Sequence, residues 1–200
     1  MKGSAIIVSF FVVGVFVGFL NLFSVETTHS NLSYYALCAL MFFVGVSVGS
    51  DSQTVKNFKK LNPGLILLPI ITIVGTLIGT ALISLVLPHR SLTDCLAVGA
   101  GFGYYSLSSI FITEYKGAAL GTVALLSNII REIITLLMTP LLVKYFGNLA
   151  PITAGGATTM DTTLPIITKF SGKEFVIVSI YHGLVVDLSV PFWVLFFCSF

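Results

Sequence analysis

Residues 99–117 read GAGFGYYSLSSIFITEYKG, and 55 positions later residues 154–172 read AGGATTMDTTLPIITKFSG. Each stretch opens on small residues, passes through a run of hydroxyls and closes on Ile-Thr and then Gly. Glycine permits tight backbone turns, and Ser and Thr hydroxyls can bond the backbone groups that a turn frees. Inside otherwise lipid-compatible sequence, each stretch therefore predicts a membrane helix that breaks.

The composition supports that setting. Of 200 residues, 56% are hydrophobic and 9% are charged, the balance of an integral membrane protein. Apolar runs of spanning length, about 20 residues, occupy 5–25, 34–49, 65–87, 118–142 and 175–200. The expected fold is an all-α polytopic membrane protein: about five full transmembrane helices plus two broken or re-entrant helical segments, in a single membrane domain covering 1–200. Lys2 ahead of an apolar run resembles a signal peptide, but the run is too long and lacks a small-residue cleavage site, so it is expected to be retained as the first helix. Cys38, Cys95 and Cys198 stand apart in apolar context, without metal or disulfide spacing. No basic patch suggests nucleic acid, no cofactor is indicated, and little chain is left over for a soluble catalytic domain.

Charge placement orients the chain. Lys56, Lys59 and Lys60 crowd one loop while residues 26–33 hold no Lys or Arg, which puts the N-terminus in the cytoplasm and the C-terminus outside. Charge does not decide whether the repeats span or dip in and return, because Lys116 and Lys144 merely exchange sides. The repeat favours the second arrangement. A single crossing at 118–142 would make two hairpins enter from opposite faces, an inverted repeat of the kind transporters use near the bilayer midplane. Arms of about ten residues, roughly 15 Å, would reach the middle of a layer about 30 Å thick. The tips then fall at 101–106 and 155–161, with Gly101, Gly103, Gly155 and Gly156 as hairpin glycines and Pro165 interrupting the second copy.

Ionisable groups in such segments are costly unless they face a cavity or a partner. Arg131 and Glu132 sit centrally in the 118–142 run, and the 55-residue offset pairs Glu132 with Asp187. Asp161, where the first copy has Ser106, is expected to be a third buried acid. Around it Thr158, Thr159, Thr162 and Thr163 would form an oxygen-rich site for an ammonium group or small cation. Tyr104 and Tyr105 at the first tip are candidate cavity-lining residues. Plainer readings stand beside these: Arg131 and Glu132 as structural residues with separate partners, His182 as a packing residue, Asp187 as a cap on a helix broken near Pro191, and the tyrosines as interfacial aromatics.

The ordered motifs Gly101-Phe102-Gly103-Tyr104-Tyr105-Ser106-Leu107-Ser108, Asn128 with Arg131-Glu132, the run 156–165 (GATTMDTTLP), and His182-Gly183, together with Phe43-Val44-Gly45-Val46, resemble the LysO family of lysine exporters of bacterial inner membranes. The resemblance covers nearly the whole chain. It implies export of L-lysine and toxic lysine analogues from the cytoplasm, and a substrate- and proton-binding set that includes Asn128 and His182. Many members carry a further N-terminal hydrophobic region, so the chain resembles the C-terminal portion of such an exporter. A small N-terminal partner membrane protein, a homo-oligomer, or both are expected to complete the unit.

Lysine presents two ammonium groups and a carboxylate. Asp161 and Glu132 are the expected receivers of ammonium groups or protons, and the amides of 101–106, with Arg131, of the carboxylate; exchange of a proton for lysine on the same acids would drive export. The competing readings are a sodium-coupled transporter or channel for another small charged metabolite, and an intramembrane enzyme. Three acids against one buried Arg favour a cationic substrate. An enzyme is disfavoured, because neither a Gly-x-Ser-x-Gly elbow nor a His-Glu-x-x-His pattern occurs.

Overall fold

The computed structural model describes Phe16, Leu20 and residues 63–87 and 90–200. The chain divides into two units, Met1–Asp51 and Ser52–Phe200, and the helices α1 to α8 all lie in the second. The helices expected at 5–25 and 34–49, and Cys38, lie outside the described residues.

Among the described residues the chain forms helices and no strand. Helix α1 (Pro63–Ile66) leads into α2 (Leu68–Ser84), followed by α3 (Leu92–Gly99), α4 (Tyr105–Lys116) and α5 (Ala118–Phe146). Helix α6 (Ala150–Gly155), a 3₁₀ turn at Gly156–Met160 and α7 (Leu164–Ser171) come next, and a second 3₁₀ turn, Lys173–Phe175, opens into α8 (Val176–Cys198). Three stretches are long and apolar enough to cross a membrane: Gly64–Ser84, Ala118–Phe146 and Lys173–Cys198, of 21, 29 and 26 residues. They coincide with three of the expected spans. Their outer faces carry Ile71, Leu82 and Leu137, each 61% exposed or more. In water such faces would aggregate, whereas hydrocarbon matches them, so helix association in this bundle rests on close packing and interhelical hydrogen bonds.

Both repeated stretches interrupt the helix, and both double back. Helix α3 stops at Gly99, the chain turns through residues 100–104, and α4 returns until Lys116 Nζ lies 3.7 Å from Asp94 Oδ1 in the first turn of α3. Entry and exit therefore share one end of the bundle. Arms of 8 and 12 residues measure roughly 12 and 18 Å at the standard rise, too short to span. In the second stretch Ile152 of α6 and Ile167 of α7 join one buried cluster with Leu68 and Val178, flanked by Leu149 and Phe175. Leu68 and Val178 stand in the first turns of α2 and α8.

Local sequence explains the breaks and the continuities. Pro165 stands in the first turn of α7, where a missing N–H costs nothing. Pro140 and Pro191 lie inside α5 and α8, and both helices run through them. Asp187 therefore caps no broken helix near Pro191, since α8 is continuous from Val176 to Cys198. On α5 the buried positions Gly121, Ala124, Asn128, Thr135 and Thr139 recur at intervals of three, four or seven residues, one face of a helix. At Gly121 a methyl group would collide with Thr113 of α4, so a small residue there sets how closely α4 and α5 approach.

Candidate functional site

The tips of the two hairpins meet. The amide of Ala157 donates to the carbonyl of Phe102 at 2.9 Å, which joins the first break directly to the second. Phe102 is fully buried and holds φ at +46°, a left-handed conformation that costs a non-glycine residue about 1–2 kcal/mol. Two glycines make the approach possible. Gly156 has φ +63° and a Cβ there would strike the Phe102 carbonyl; a Cβ on Gly103, at φ +99°, would stand 2.9 Å from the Gly155 carbonyl.

Three polar side chains from the spanning helices fasten these tips. Asn128 of α5 accepts the Gly103 amide on Oδ1 at 2.7 Å, and its Nδ2 donates to the Ala124 carbonyl at 2.9 Å. Arg131, one turn further, points at the other hairpin. Its Nε donates to the Ala154 carbonyl at 2.8 Å, Nη2 to the Thr153 carbonyl at 3.1 Å and Nη1 to Thr76 Oγ1 at 3.4 Å. These are carbonyls at the C-terminal end of α6, the partly negative pole of a helix, so the guanidinium meets complementary charge there. His182 of α8 is fully buried between Thr72 Oγ1 of α2, 2.9 Å from Nε2, and Thr159 Oγ1 of the second tip, 3.3 Å from Nδ1. Both ring nitrogens are thus within hydrogen-bonding distance of threonine hydroxyls.

The acids are arranged differently from the sequence expectation. Asp161 is exposed rather than buried, and it accepts the adjacent Thr162 amide. The threonines do not encircle it. Thr158 donates to the Gly155 carbonyl at 2.9 Å and pairs with Thr163 at 3.2 Å, while Thr159 bonds the Gly156 and Ser179 carbonyls at 2.8 and 3.0 Å. Thr162 is exposed beside Asp161. The reason is local: a 3₁₀ turn breaks the helical ladder, and hydroxyls three residues on are the nearest donors for the freed carbonyls. Asp187 is 5% exposed and makes no hydrogen bond to a described residue, and it lies within electrostatic reach of both Asp161 and the Tyr104 hydroxyl. Glu132 is half-buried at the margin of the buried face of α5, without an ion pair among the described residues.

The amides of the first tip are also committed. Those of Gly101, Phe102, Tyr104 and Tyr105 bond carbonyls within the turn, and that of Gly103 bonds Asn128. Those five amides are not free to receive a carboxylate, and Arg131 directs three of its five N–H donors to Thr76, Thr153 and Ala154. Tyr104 and Tyr105 are half-buried and Ser106 is exposed, so repeat-equivalent Ser106 and Asp161 both face outward beside their breaks. Gly101, Gly103, Gly155 and Gly156 are all buried at the junction.

Sequence reasoning missed Thr72 and Thr76. Their four-residue spacing on an apolar helix marks one face turned to polar partners, a signal available before any coordinates.

A family model described as "Lysine exporter LysO" matches residues 8–198. Over 170 residues the chain is 33% identical to the protein named "Lysine exporter LysO" of Escherichia coli (strain K12), a match covering 85% of this chain and 56% of that one. It is 37% identical over 171 residues to the "Putative lysine exporter" of Haemophilus influenzae, covering 86% and 85% respectively. The chain thus spans little more than half the length of the first relative. No solved structure gives a significant match.

Proposed function

Because this chain belongs to the LysO lysine exporter family, we propose that it carries L-lysine and lysine analogues out of the bacterial cytoplasm across the inner membrane, as a secondary-active exporter coupled to proton antiport. The observation that carries the reading is the end-to-end meeting of two doubled-back hairpins at Phe102 and Ala157, with Tyr104 two residues beyond the first and Asp161 four beyond the second. Irregular backbone at membrane depth is tolerated where protein encloses it or a cavity wets it, and transporters place their sites there.

Opposed re-entrant hairpins are part of the proposal, and three features support an inverted repeat. Ala157 bonds Phe102, and Arg131 bonds Thr76; each pair is separated by the repeat offset of 55. Residues beside the two-fold axis of such a repeat meet their own counterparts. Repeat-equivalent Gly117 and Gly172, which close the hairpins, also share one backbone conformation, φ/ψ +93°/162° and +111°/157°. With this topology Lys144, Lys169 and Lys173 stand at the cytoplasmic end and Arg90 and Lys116 at the outer end, in keeping with the positive-inside bias.

In this mechanism Asp161 and Glu132 alternate between proton and ammonium, with Asp187 as the neighbouring buried acid. Asn128 and His182 hold the two tips in register. An N-terminal partner protein or a second copy of the chain completes the unit. The test is lysine and thialysine tolerance in an exporter-deficient bacterium, with and without a candidate N-terminal partner. Rescue is the expected result; absence of rescue in both settings removes the lysine assignment.

A further inference from the structure

Two cavities enter the bundle from opposite ends. One, of 310 Å³, runs inward from Arg90 and Asp94 past Ser127 to Asn128 and Arg131. The other, of 630 Å³, opens between the start of α2 and the end of α5, and Thr153 and Ala154 form its inner wall. Thr76 lines both. Arg131 lines the first cavity and not the second, and its guanidinium bonds Thr76 Oγ1, which lines both, and the Thr153 and Ala154 carbonyls, whose residues line the second.

We infer that Arg131 is a barrier residue: its guanidinium forms the wall between an outer and an inner cavity and keeps protons and other cations from crossing when no substrate is moved. The inference rests on the transport reading of this chain. Guanidinium is charged at every physiological pH, and no described carboxylate pairs with Arg131, whose acceptors are neutral carbonyls and a hydroxyl. The partial charges of those dipoles offset a full positive charge only in part, and a fixed cation at a constriction repels a proton or an ammonium, as in other pores that exclude cations. The position follows from the fold, since one residue of the central helix must reach a hairpin that enters from the opposite end to the cavity above it.

The test uses the full chain in proteoliposomes loaded with a pH-sensitive dye, with an imposed proton gradient and no lysine. Arg131→Gln is expected to admit protons at least about tenfold faster than the native protein, the scale on which removing a nearby fixed charge acts. Arg131→Lys, which keeps the charge, is expected to leak less than Arg131→Gln. An Arg131→Gln protein as proton-tight as the native one overturns the inference. Should that variant fail to assemble, single cysteines at Ser127 and Gly75, with the native cysteines changed to Ser and Arg131 intact, decide the matter. A membrane-impermeant thiol reagent is expected to label each from one side only, and labelling of either from both sides overturns the barrier. Because no lysine is present in these assays, a native protein that moves no lysine would remove the export reading and leave the barrier result intact.

Discussion

Gly156→Ala isolates the contact on which the site is built. Gly156 holds φ +63° and ψ −127°, a region open essentially to glycine, so any Cβ there carries strain of about 1–3 kcal/mol. The same Cβ would also strike the Phe102 carbonyl. That oxygen accepts the Ala157 amide at 2.9 Å, and forcing it away sacrifices a buried hydrogen bond worth about 0.5–1.5 kcal/mol or more. The expected total is roughly 2–4 kcal/mol. Gly147→Ala supplies the control: Gly147 has φ +88° but a Cβ there meets nothing within 4 Å, so it carries the backbone term alone. The assay is the thermal midpoint of purified protein in detergent, followed through Trp193, with lysine tolerance of cells as the functional readout. Gly156→Ala is expected to fall by on the order of 10 °C, at about 2–4 °C per kcal/mol for a chain of this size, and to lose export. A Gly156→Ala midpoint no lower than that of Gly147→Ala would refute the reasoning, because the difference between the two variants is the tip-to-tip contact.

Other substitutions test the remaining parts of the site. Asn128→Ala should cost about 1–3 kcal/mol by leaving the buried Gly103 amide without its acceptor, read as a lowered thermal midpoint; Asn128→Asp, which keeps that acceptor, should recover part of the loss. His182→Leu strands the buried Thr72 hydroxyl and removes one of the bonds of Thr159; it is expected to destabilise by a similar amount, with retained stability counting against the bridge between α2 and the second tip. Glu132→Gln should abolish proton-coupled export while the protein still inserts, and undiminished export in vesicles would sink its role as a proton carrier. Lys116→Ala breaks a partly exposed ion pair worth no more than about 1 kcal/mol; its thermal midpoint should hardly move, and a large drop would mean that the pair does more than mark where the first hairpin returns.

Three of the spans, the breaks and the family were legible in the sequence. Apolar runs at 65–87, 118–142 and 175–200 became the three long helices because hydropathy and length are local properties, and a backbone in lipid must satisfy itself within its own helix. Gly101, Gly103, Gly155 and Gly156 announced the breaks for the same local reason. The contact between Phe102 and Ala157 was not legible in the sequence.

Partner choice was legible only in part. Arg131 and Glu132 are neighbours in sequence with similar cost in a membrane, yet one reaches Thr153, Ala154 and Thr76 while the other stays at the margin of its helix, because a 100° step around the helix gives adjacent residues different neighbours. The threonines looked like a cage for Asp161, but their hydroxyls turned to carbonyls that the 3₁₀ turn had freed. A one-dimensional chain states which groups must find partners; which partner each one finds depends on distance and direction between elements far apart in sequence, and packing alone supplies both.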